Sequence, residues 1–240
     1  MFPFFSFLDI KIYTYPLILG MIWAISYHLA LFLIDYRKVS FKYFKVFYIG
    51  LFLSSWIGAK VFYLSTLKFE LVKFASLSTN FWLGGGFVFY GGLIFGLLFT
   101  GLFSYLSKQH MGKFSFVIPV LCLGHALGRI GCLLAGCCYG AATKFPLSIH
   151  LHNHDRHPVQ LYESIGLFIL FIITFELFKR GKSVVIFYLG AYSILRFFLE
   201  FIRGDELRGE NVLFIFSTSQ LVSLFIIILV IINSRLARSA

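Results

Sequence analysis

Seven runs of apolar residues, each close to the length that crosses a lipid bilayer, dominate this sequence of 240 residues. An α-helix needs about 20 apolar residues to span the hydrocarbon core. The runs lie at 15–34, 46–65, 87–107, 114–139, 159–178, 183–202 and 212–233. The chain is 59% hydrophobic and only 13% charged, which is too little polar surface to cover a soluble protein. We therefore expect an all-α polytopic membrane protein, with residues 1–240 forming a single membrane-embedded domain.

The basic residues between the spans predict the orientation of the chain. Four segments on one side carry eleven of them against one acid, Asp35: Arg37, Lys38, Lys42, Lys45, Lys108, Lys113, Lys179, Arg180, Lys182, Arg235 and Arg238. The other side has seven basic and six acidic residues. Because cytoplasmic loops are enriched in Lys and Arg, we expect the N-terminus outside, the C-terminus in the cytoplasm and an extracytoplasmic loop at about 140–158. The net charge of +11 is then explained by the basic residues that orient the chain in the membrane, and we expect no nucleic-acid partner.

Ionisable residues inside spans are functional candidates, because insertion scales give a charge at the bilayer centre a cost of about 2.5–3.5 kcal/mol. In the expected orientation, five of them lie in the outer half of the membrane: Arg129, Glu163, Arg196, Glu200 and Arg203. Arg196, Glu200 and Arg203 are spaced i, i+4 and i+7, which predicts one shared helix face. Tyr192 extends this face.

Two interpretations of these charges are open. Arg196 and Glu200 could form an intrahelical ion pair that stabilises the helix bundle. Alternatively, the excess of arginine over glutamate in the outer half leaves positive charge in a medium of low dielectric constant, which favours a bound anion. The planar fork of donors on arginine suits a phosphate. The second interpretation is therefore a site for the phosphate of a phospholipid.

A glycine-rich stretch surrounds Tyr90. Its glycines are Gly84, Gly85, Gly86, Gly91, Gly92 and Gly96. Irregular backbone inside a membrane is tolerated only against protein or a wet cavity, so the stretch could be a broken or re-entrant segment that carries Tyr90 inward. Gly92 and Gly96 also form a GxxxG pair, which is typical of closely packed helices. The spacing alone does not choose between these interpretations.

Three of the four cysteines, Cys132, Cys137 and Cys138, lie together at the outer end of the fourth span. Free buried thiols and a disulfide from Cys132 to one of the other two are both open. Four histidines follow in the outer loop: His150, His152, His154 and His157. With the cysteines they could hold zinc, but no spacing is a standard one. We expect a solvated loop, and no metal or other cofactor.

Several segments match, in chain order, the motifs of one enzyme family. They are Tyr15, 90–94 (Tyr-Gly-Gly-Leu-Ile), 128–131 (Gly-Arg-Ile-Gly) with Gly140, 157–163 (His-Pro-Val-Gln-Leu-Tyr-Glu), 196–203 (Arg-Phe-Phe-Leu-Glu-Phe-Ile-Arg) and 217–220 (Ser-Thr-Ser-Gln). Over nearly the whole chain they resemble the bacterial prolipoprotein diacylglyceryl transferase family. The expected seven spans and outside N-terminus agree with the topology of that family.

The resemblance implies an enzyme of the bacterial cytoplasmic (inner) membrane that needs no cofactor. It would move the diacylglyceryl group of phosphatidylglycerol to the lipobox cysteine thiol of a preprolipoprotein, forming a thioether and releasing glycerol phosphate. Arg129 resembles the arginine that contacts the lipid headgroup and Arg196 a second essential arginine, with Arg203 a further phosphate ligand. Tyr15 and Tyr90 are implied as catalytic residues. The implied supporting residues are Tyr192, Glu200, Gln160, Tyr162, Glu163, Cys132 and Gly140.

Three residues depart from the family pattern and leave the chemistry open. Tyr90 stands where many members carry a histidine proposed as general base, Cys132 replaces the usual Asn, and Cys137 replaces a Glu. Tyr90 is then a candidate proton relay and Cys132 a candidate nucleophile. A family member that uses another acceptor, and a lipid-binding or anion-binding membrane protein without catalysis, are the alternative functions.

Overall fold

The computed structural model describes residues 4–7, 10–65, 87–204 and 216–239. In these ranges there are seven α-helices: α1 (Thr14–Tyr36), α2 (Phe44–Ser65), α3 (Phe89–Ser107), α4 (Val117–Ala135), α5 (Val159–Lys179), α6 (Val185–Leu199) and α7 (Thr218–Ser239). Short strands β1 (Phe4–Phe7) and β2 (Ile10–Tyr13) precede α1, and strands β3 (Ile149–Leu151) and β4 (His154–Arg156) lie between α4 and α5. Two 3₁₀ helices, Met111–Phe116 and Glu200–Ile202, precede α4 and follow α6.

The helices have the length and composition of membrane spans, which confirms the expected all-α polytopic fold. Six helical segments in the described part of the chain are long and apolar enough to cross a bilayer, and α3 is a shorter apolar helix. Their outer surfaces stay apolar, as at Leu98 (66% exposed) and Phe225 (62%). Pro16 and Pro119 lie in first turns, where a missing N–H interrupts no helical hydrogen bond. The orientation of the termini stays a prediction.

The chain divides into two compact units. The first, Ser6–Phe114, contains α1, α2 and α3. The second, Ser115–Ala240 together with Met1–Phe5, contains α4 to α7 and the strands β3 and β4. The single domain expected over residues 1–240 stays a prediction, and each unit is described by itself.

In the first unit, glycines allow α2 and α3 to approach closely. A Cβ atom on Gly91 would overlap the carbonyl oxygen of Gly58, and a Cβ on Gly58 would overlap that of Gly91. Gly92 and Gly96 face Ser55 in the same interface. The close-packing interpretation of the glycines is therefore confirmed for α3, whereas Gly84, Gly85 and Gly86 lie outside the described residues.

Gly91→Ala is expected to destabilise the protein by about 1–3 kcal/mol, because a methyl group must displace backbone at a packed crossing. Gly101→Ala in the same helix is the matched control, since a Cβ at this position meets nothing within 4 Å. Thermal unfolding of both variants in detergent measures the difference. Equal melting temperatures of the two variants would contradict this, because they would show that α2 and α3 can move apart at the crossing without a loss of stability.

In the second unit, α4 packs on α5 and α5 on α6. Cys122 and Tyr188 are buried in the core between these helices with Leu170, and Thr174 Oγ1 contacts Cys122 Sγ at 3.7 Å. The strands β3 and β4 are antiparallel, with His150 opposite Asp155. This hairpin lies in the segment expected as the extracytoplasmic loop.

Candidate active site

Glu163 is the centre of a group of charged side chains in the second unit. It lies in the second turn of α5, which begins after Pro158, and its side chain is fully buried. Arg129 Nη2 donates a hydrogen bond to Glu163 Oε1 at 2.9 Å, and the Tyr192 hydroxyl donates to the same oxygen at 3.1 Å. Arg203 Nη1 lies 3.9 Å from Oε2. One carboxylate thus joins two arginines and a tyrosine from different elements.

Arg196 and Glu200 form the second charged pair of the site. Their ion pair along the helix is present, as the i, i+4 spacing allows. Both side chains also contact the segment that opens α7: Ser217 Oγ donates to Glu200 Oε1 at 2.9 Å, and Arg196 Nη2 donates to Ser219 Oγ at 3.2 Å. The pair therefore links α6 to α7, and Arg196 also acts on Glu163 through its charge.

The prediction that Arg203 continues the helix face of Arg196 and Glu200 is wrong. The α-helix ends at Leu199, a short 3₁₀ helix follows, and Arg203 is extended, with φ −80° and ψ 147°. Its backbone pairs with Gly140 in an isolated antiparallel bridge. This turn away from the helix axis directs Arg203 towards Glu163 on α5.

The site holds more arginine than glutamate in a buried environment. Its arginine and glutamate side chains in the described residues are three and two in number, all at most 13% exposed: Arg129, Arg196, Arg203, Glu163 and Glu200. Arg129 Nε is buried and makes no hydrogen bond to the described residues. An anion with several acceptor oxygens would balance the remaining charge.

The cysteines of the fourth span meet because the chain reverses direction after α4. The helix ends at Ala135, earlier than the expected residue 139, because Gly136 adopts a left-handed conformation with φ 75°. Cys138 is also left-handed, with φ 59°. The N–H of Cys137 donates back to the carbonyl of Cys132 at 3.1 Å. As a result, the sulfur atoms of Cys132, Cys137 and Cys138 lie within 4.8 Å of one another.

All three cysteines are free thiols in the structure. Hydrogen bonds from the thiols of Cys132 and Cys137, and then the charges of Arg129 and Arg203, hold the pKa of the Cys138 thiol well below its usual value. Gln160 Nε2 donates to the carbonyl of Cys137 at 2.6 Å and fixes the reversed segment to α5.

Gly140 holds the end of this segment against the start of α5. Its N–H donates to the carbonyl oxygen of His157 at 3.1 Å. A Cβ on Gly140 would lie 2.5 Å from that oxygen and 2.7 Å from Val159 Cγ2. Glycine is therefore required here by the close approach of the backbone.

Gly140→Ala is expected to lower the free energy of unfolding by about 1–3 kcal/mol, because the new methyl group must separate two hydrogen-bonded backbone segments. Gly128→Ala is the matched control, as a Cβ there meets nothing within 4 Å. Thermal unfolding in detergent is the measurement, and equal stability of the two variants would contradict the expectation.

The histidines of the loop do not gather into a metal site in the described residues. His150 Nδ1 lies 3.0 Å from Asp155 Oδ1 on the exposed hairpin, and His152 Nε2 lies 3.1 Å from the Gly136 carbonyl oxygen. His157 Nδ1 lies 3.5 Å from the Tyr162 hydroxyl, and the supporting role of Tyr162 stays a prediction. A combined histidine and cysteine zinc site is not formed by these positions.

Two of the expected catalytic residues, Tyr15 and Tyr90, belong to the first unit. Tyr15 lies in the first turn of α1, with its ring 6.2 Å from that of Phe87. Tyr90 is the second residue of α3, and its side chain lies outside the described part of the structure. Their catalytic roles stay predictions.

His125, which is not among the residues predicted from the sequence, also belongs to the charged group. Its Nε2 lies 3.8 Å from Glu163 Oε1, and its ring packs edge-on against Tyr192. His125 precedes Arg129 by four residues, so the two share a face of α4. This spacing is the signal that could have found it.

The comparisons with known proteins agree with the resemblance. The family model for prolipoprotein diacylglyceryl transferase matches residues 3–234. The chain belongs to this family. Two proteins that are similar to this chain carry the name of the prolipoprotein diacylglyceryl transferase family. One, from Clostridium tetani, is named phosphatidylglycerol–prolipoprotein diacylglyceryl transferase; it is 32% identical, over 94% of this chain and 93% of its own length. A second similar protein, from Clostridium perfringens, is named phosphatidylglycerol–prolipoprotein diacylglyceryl transferase 2. It is 36% identical, over 91% of this chain and 88% of its own length.

Proposed function

We propose that this membrane protein transfers the diacylglyceryl group of phosphatidylglycerol to the lipobox cysteine of a preprolipoprotein in the bacterial cytoplasmic membrane. The observation that supports this most is the buried excess of arginine around Glu163 in a member of the family. A phosphate diester carries one negative charge and two free oxygens. Its charge would balance the excess of arginine, and its oxygens would accept hydrogen bonds from the donor forks of arginine.

The arginines would stabilise the leaving group. When the acceptor sulfur attacks the glyceryl carbon, the bond from that carbon to the phosphate oxygen breaks and negative charge grows on the phosphate. Arg129 and Arg196, with Arg203, would hold the phosphate and stabilise this charge in a site of low dielectric constant. Because the arginines are already fixed by protein contacts, little reorganisation is needed during the reaction.

The glutamates act as positioning residues in this proposal. Glu163 fixes Arg129 and lies beside Arg203, and Glu200 pairs with Arg196. The Tyr192 hydroxyl donates a hydrogen bond to Glu163, so Tyr192 orients the carboxylate rather than the substrate. Tyr15 and Tyr90 are proposed as hydrogen-bond donors to the reacting groups, with Tyr90 a proton relay.

The hypothesis that Cys132 is an enzyme nucleophile is the alternative route within the same function. It would form a covalent lipid intermediate on Cys132. Mass spectrometry after incubation with phosphatidylglycerol would then find an added diacylglyceryl mass on Cys132. An unmodified Cys132, with a Cys132→Ser variant of unchanged rate, would exclude this route.

The direct test is transfer by the purified protein in phosphatidylglycerol vesicles to a synthetic lipobox peptide. We expect a product with the mass of one added diacylglyceryl group on cysteine, and none with a peptide that carries serine instead. Vesicles of phosphatidylethanolamine serve as the lipid control. If no lipid is transferred in phosphatidylglycerol vesicles, and the chain does not rescue a bacterium depleted of its own transferase, the function is a non-catalytic one or uses another acceptor.

A further inference from the structure

The three-cysteine cluster has the composition and shape of an incomplete tetrahedral zinc site. Cys132, Cys137 and Cys138 are the one group of three or more metal-ligating side chains that comes together in the described part of the chain. Zinc bound to thiolate has a Zn–S distance of about 2.3 Å, so the sulfurs of a tetrahedral site are about 3.8 Å apart. Sulfurs that already lie within 4.8 Å reach this spacing by small side-chain movements.

The cluster leaves a position for one more ligand. Zinc sites that are purely structural have four protein ligands, whereas catalytic sites have three and keep the fourth open. Cys132 is buried but Cys137 is exposed, so one side of the cluster faces outward. No fourth His, Cys, Asp or Glu joins the group among the residues described.

The cluster also adjoins the proposed phosphate site. Arg129 and Cys132 are three residues apart on α4 and therefore share a face of that helix. The charges of Arg129 and Arg203 both act on Cys138.

We propose that Cys132, Cys137 and Cys138 bind one Zn²⁺ and that the acceptor thiol of the preprolipoprotein is its fourth ligand. This inference deepens the proposed function and rests on it. The expectation that the chain needs no metal is then replaced by a zinc-dependent activation of the acceptor. The proposal gives the three cysteines one common role, in which none of them becomes lipidated.

The chemical reason is the proton of the acceptor thiol. A thiolate, not a thiol, is the nucleophile, and Tyr90, the proton relay proposed above, is a phenol. A phenol ordinarily ionises near pH 10 and is a weak base at neutral pH. Zinc removes the need for a strong base, because a thiol that coordinates a metal ion is deprotonated outright.

The proposed step balances without an oxidant or a reductant. The acceptor thiol binds zinc and loses its proton, and a sulfur electron pair then forms the bond to the glyceryl carbon. The bond between that carbon and the phosphate oxygen breaks, and its electron pair leaves with the oxygen. The released glycerol phosphate takes up the proton, the thioether dissociates from zinc, and the three protein thiolates keep the metal.

Zinc binding is tested on the full-length protein, purified in detergent under reducing conditions. Equilibrium dialysis against zinc with metal analysis should find one tightly bound ion per chain. Cys137→Ala should weaken binding by at least about 100-fold; because Cys137 is exposed, this variant should fold. Cys122→Ala, which removes the cysteine outside the cluster, is the matched control and should bind like wild type. Equal binding by Cys137→Ala and Cys122→Ala, or occupancy by Cu(I) alone, would overturn the proposal.

The fourth ligand is tested with Co²⁺ in place of zinc, since its absorption bands report thiolate ligands and coordination geometry. A lipobox peptide with cysteine should intensify the thiolate charge-transfer band, and a serine peptide should not. Identical spectra with both peptides would overturn the proposal that the acceptor thiol is the fourth zinc ligand. If transfer proceeds at full rate after zinc is removed by a chelator, the proposed function stands and the zinc inference fails. If the cobalt bands respond but no lipid is transferred, the proposed function fails instead.

Discussion

Arg129→Lys is expected to reduce lipid transfer by at least about 100-fold, the usual cost of losing one donor that stabilises charge in a transition state. Lysine keeps the charge and can still approach Glu163, so the fold should survive. Its point charge cannot, however, bind a carboxylate and a phosphate together, as the planar fork of Arg129 would in the proposed function, with Nη2 already on Glu163. Initial rates in phosphatidylglycerol vesicles measure the effect.

The control for this variant is Arg180→Lys at the far end of α5. Arg180 is 69% exposed and its guanidinium lies 4.0 Å from Glu176, a surface pair of small energetic weight. Its rate should equal that of wild type. Full activity of Arg129→Lys, with a melting temperature unchanged from wild type, would contradict the role given to Arg129.

Glu163→Gln is expected to lower the free energy of unfolding by about 3–5 kcal/mol, the usual cost of removing one partner from a buried ion pair. The Glu163 side chain is 0% exposed and lies between Arg129 and Arg203. Glutamine has nearly the same shape, so the loss would come from charge and not from packing. Unfolding in detergent by heat or denaturant measures it.

Glu176→Gln is the matched control on the same helix. Glu176 is 45% exposed and pairs with Lys179 at 2.9 Å, so its removal should cost at most about 1 kcal/mol. Glu163→Gln should also reduce transfer, because Arg129 loses the carboxylate that orients it. Equal stability of the two variants would show that the charges around Glu163 are screened by water.

The membrane spans could be predicted because their signal is local. A run of about 20 apolar residues predicts a helix without reference to the rest of the chain, and most ends agree with the structure to within a few residues. The fourth span is an exception, since its helix ends at Ala135, four residues before the predicted end at residue 139. The residues after Ala135 are still apolar, and the left-handed conformation of Gly136 stops the helix. Hydropathy does not reveal such a cap.

The site was partly predictable from spacing along helices. The pair Arg196–Glu200 follows from i, i+4 on one helix. The contacts of Glu163 do not, because Arg129 lies 34 residues before it and Tyr192 lies 29 residues after it. Which arginine meets which glutamate depends on how α4, α5 and α6 pack, and one sequence does not specify that. Arg203 shows the same limit, since a change of backbone direction sends it to another partner.

The most direct test of the buried arginine excess as a phosphate site is lipid retention by the purified protein. Native mass spectrometry after delipidation in detergent would count bound phospholipids on wild type, Arg129→Lys and the Arg180→Lys control. We expect one phosphatidylglycerol to stay on wild type and on Arg180→Lys, in preference to phosphatidylethanolamine, and to be lost from Arg129→Lys. Equal retention by all three proteins, or no preference for phosphatidylglycerol, would contradict the account.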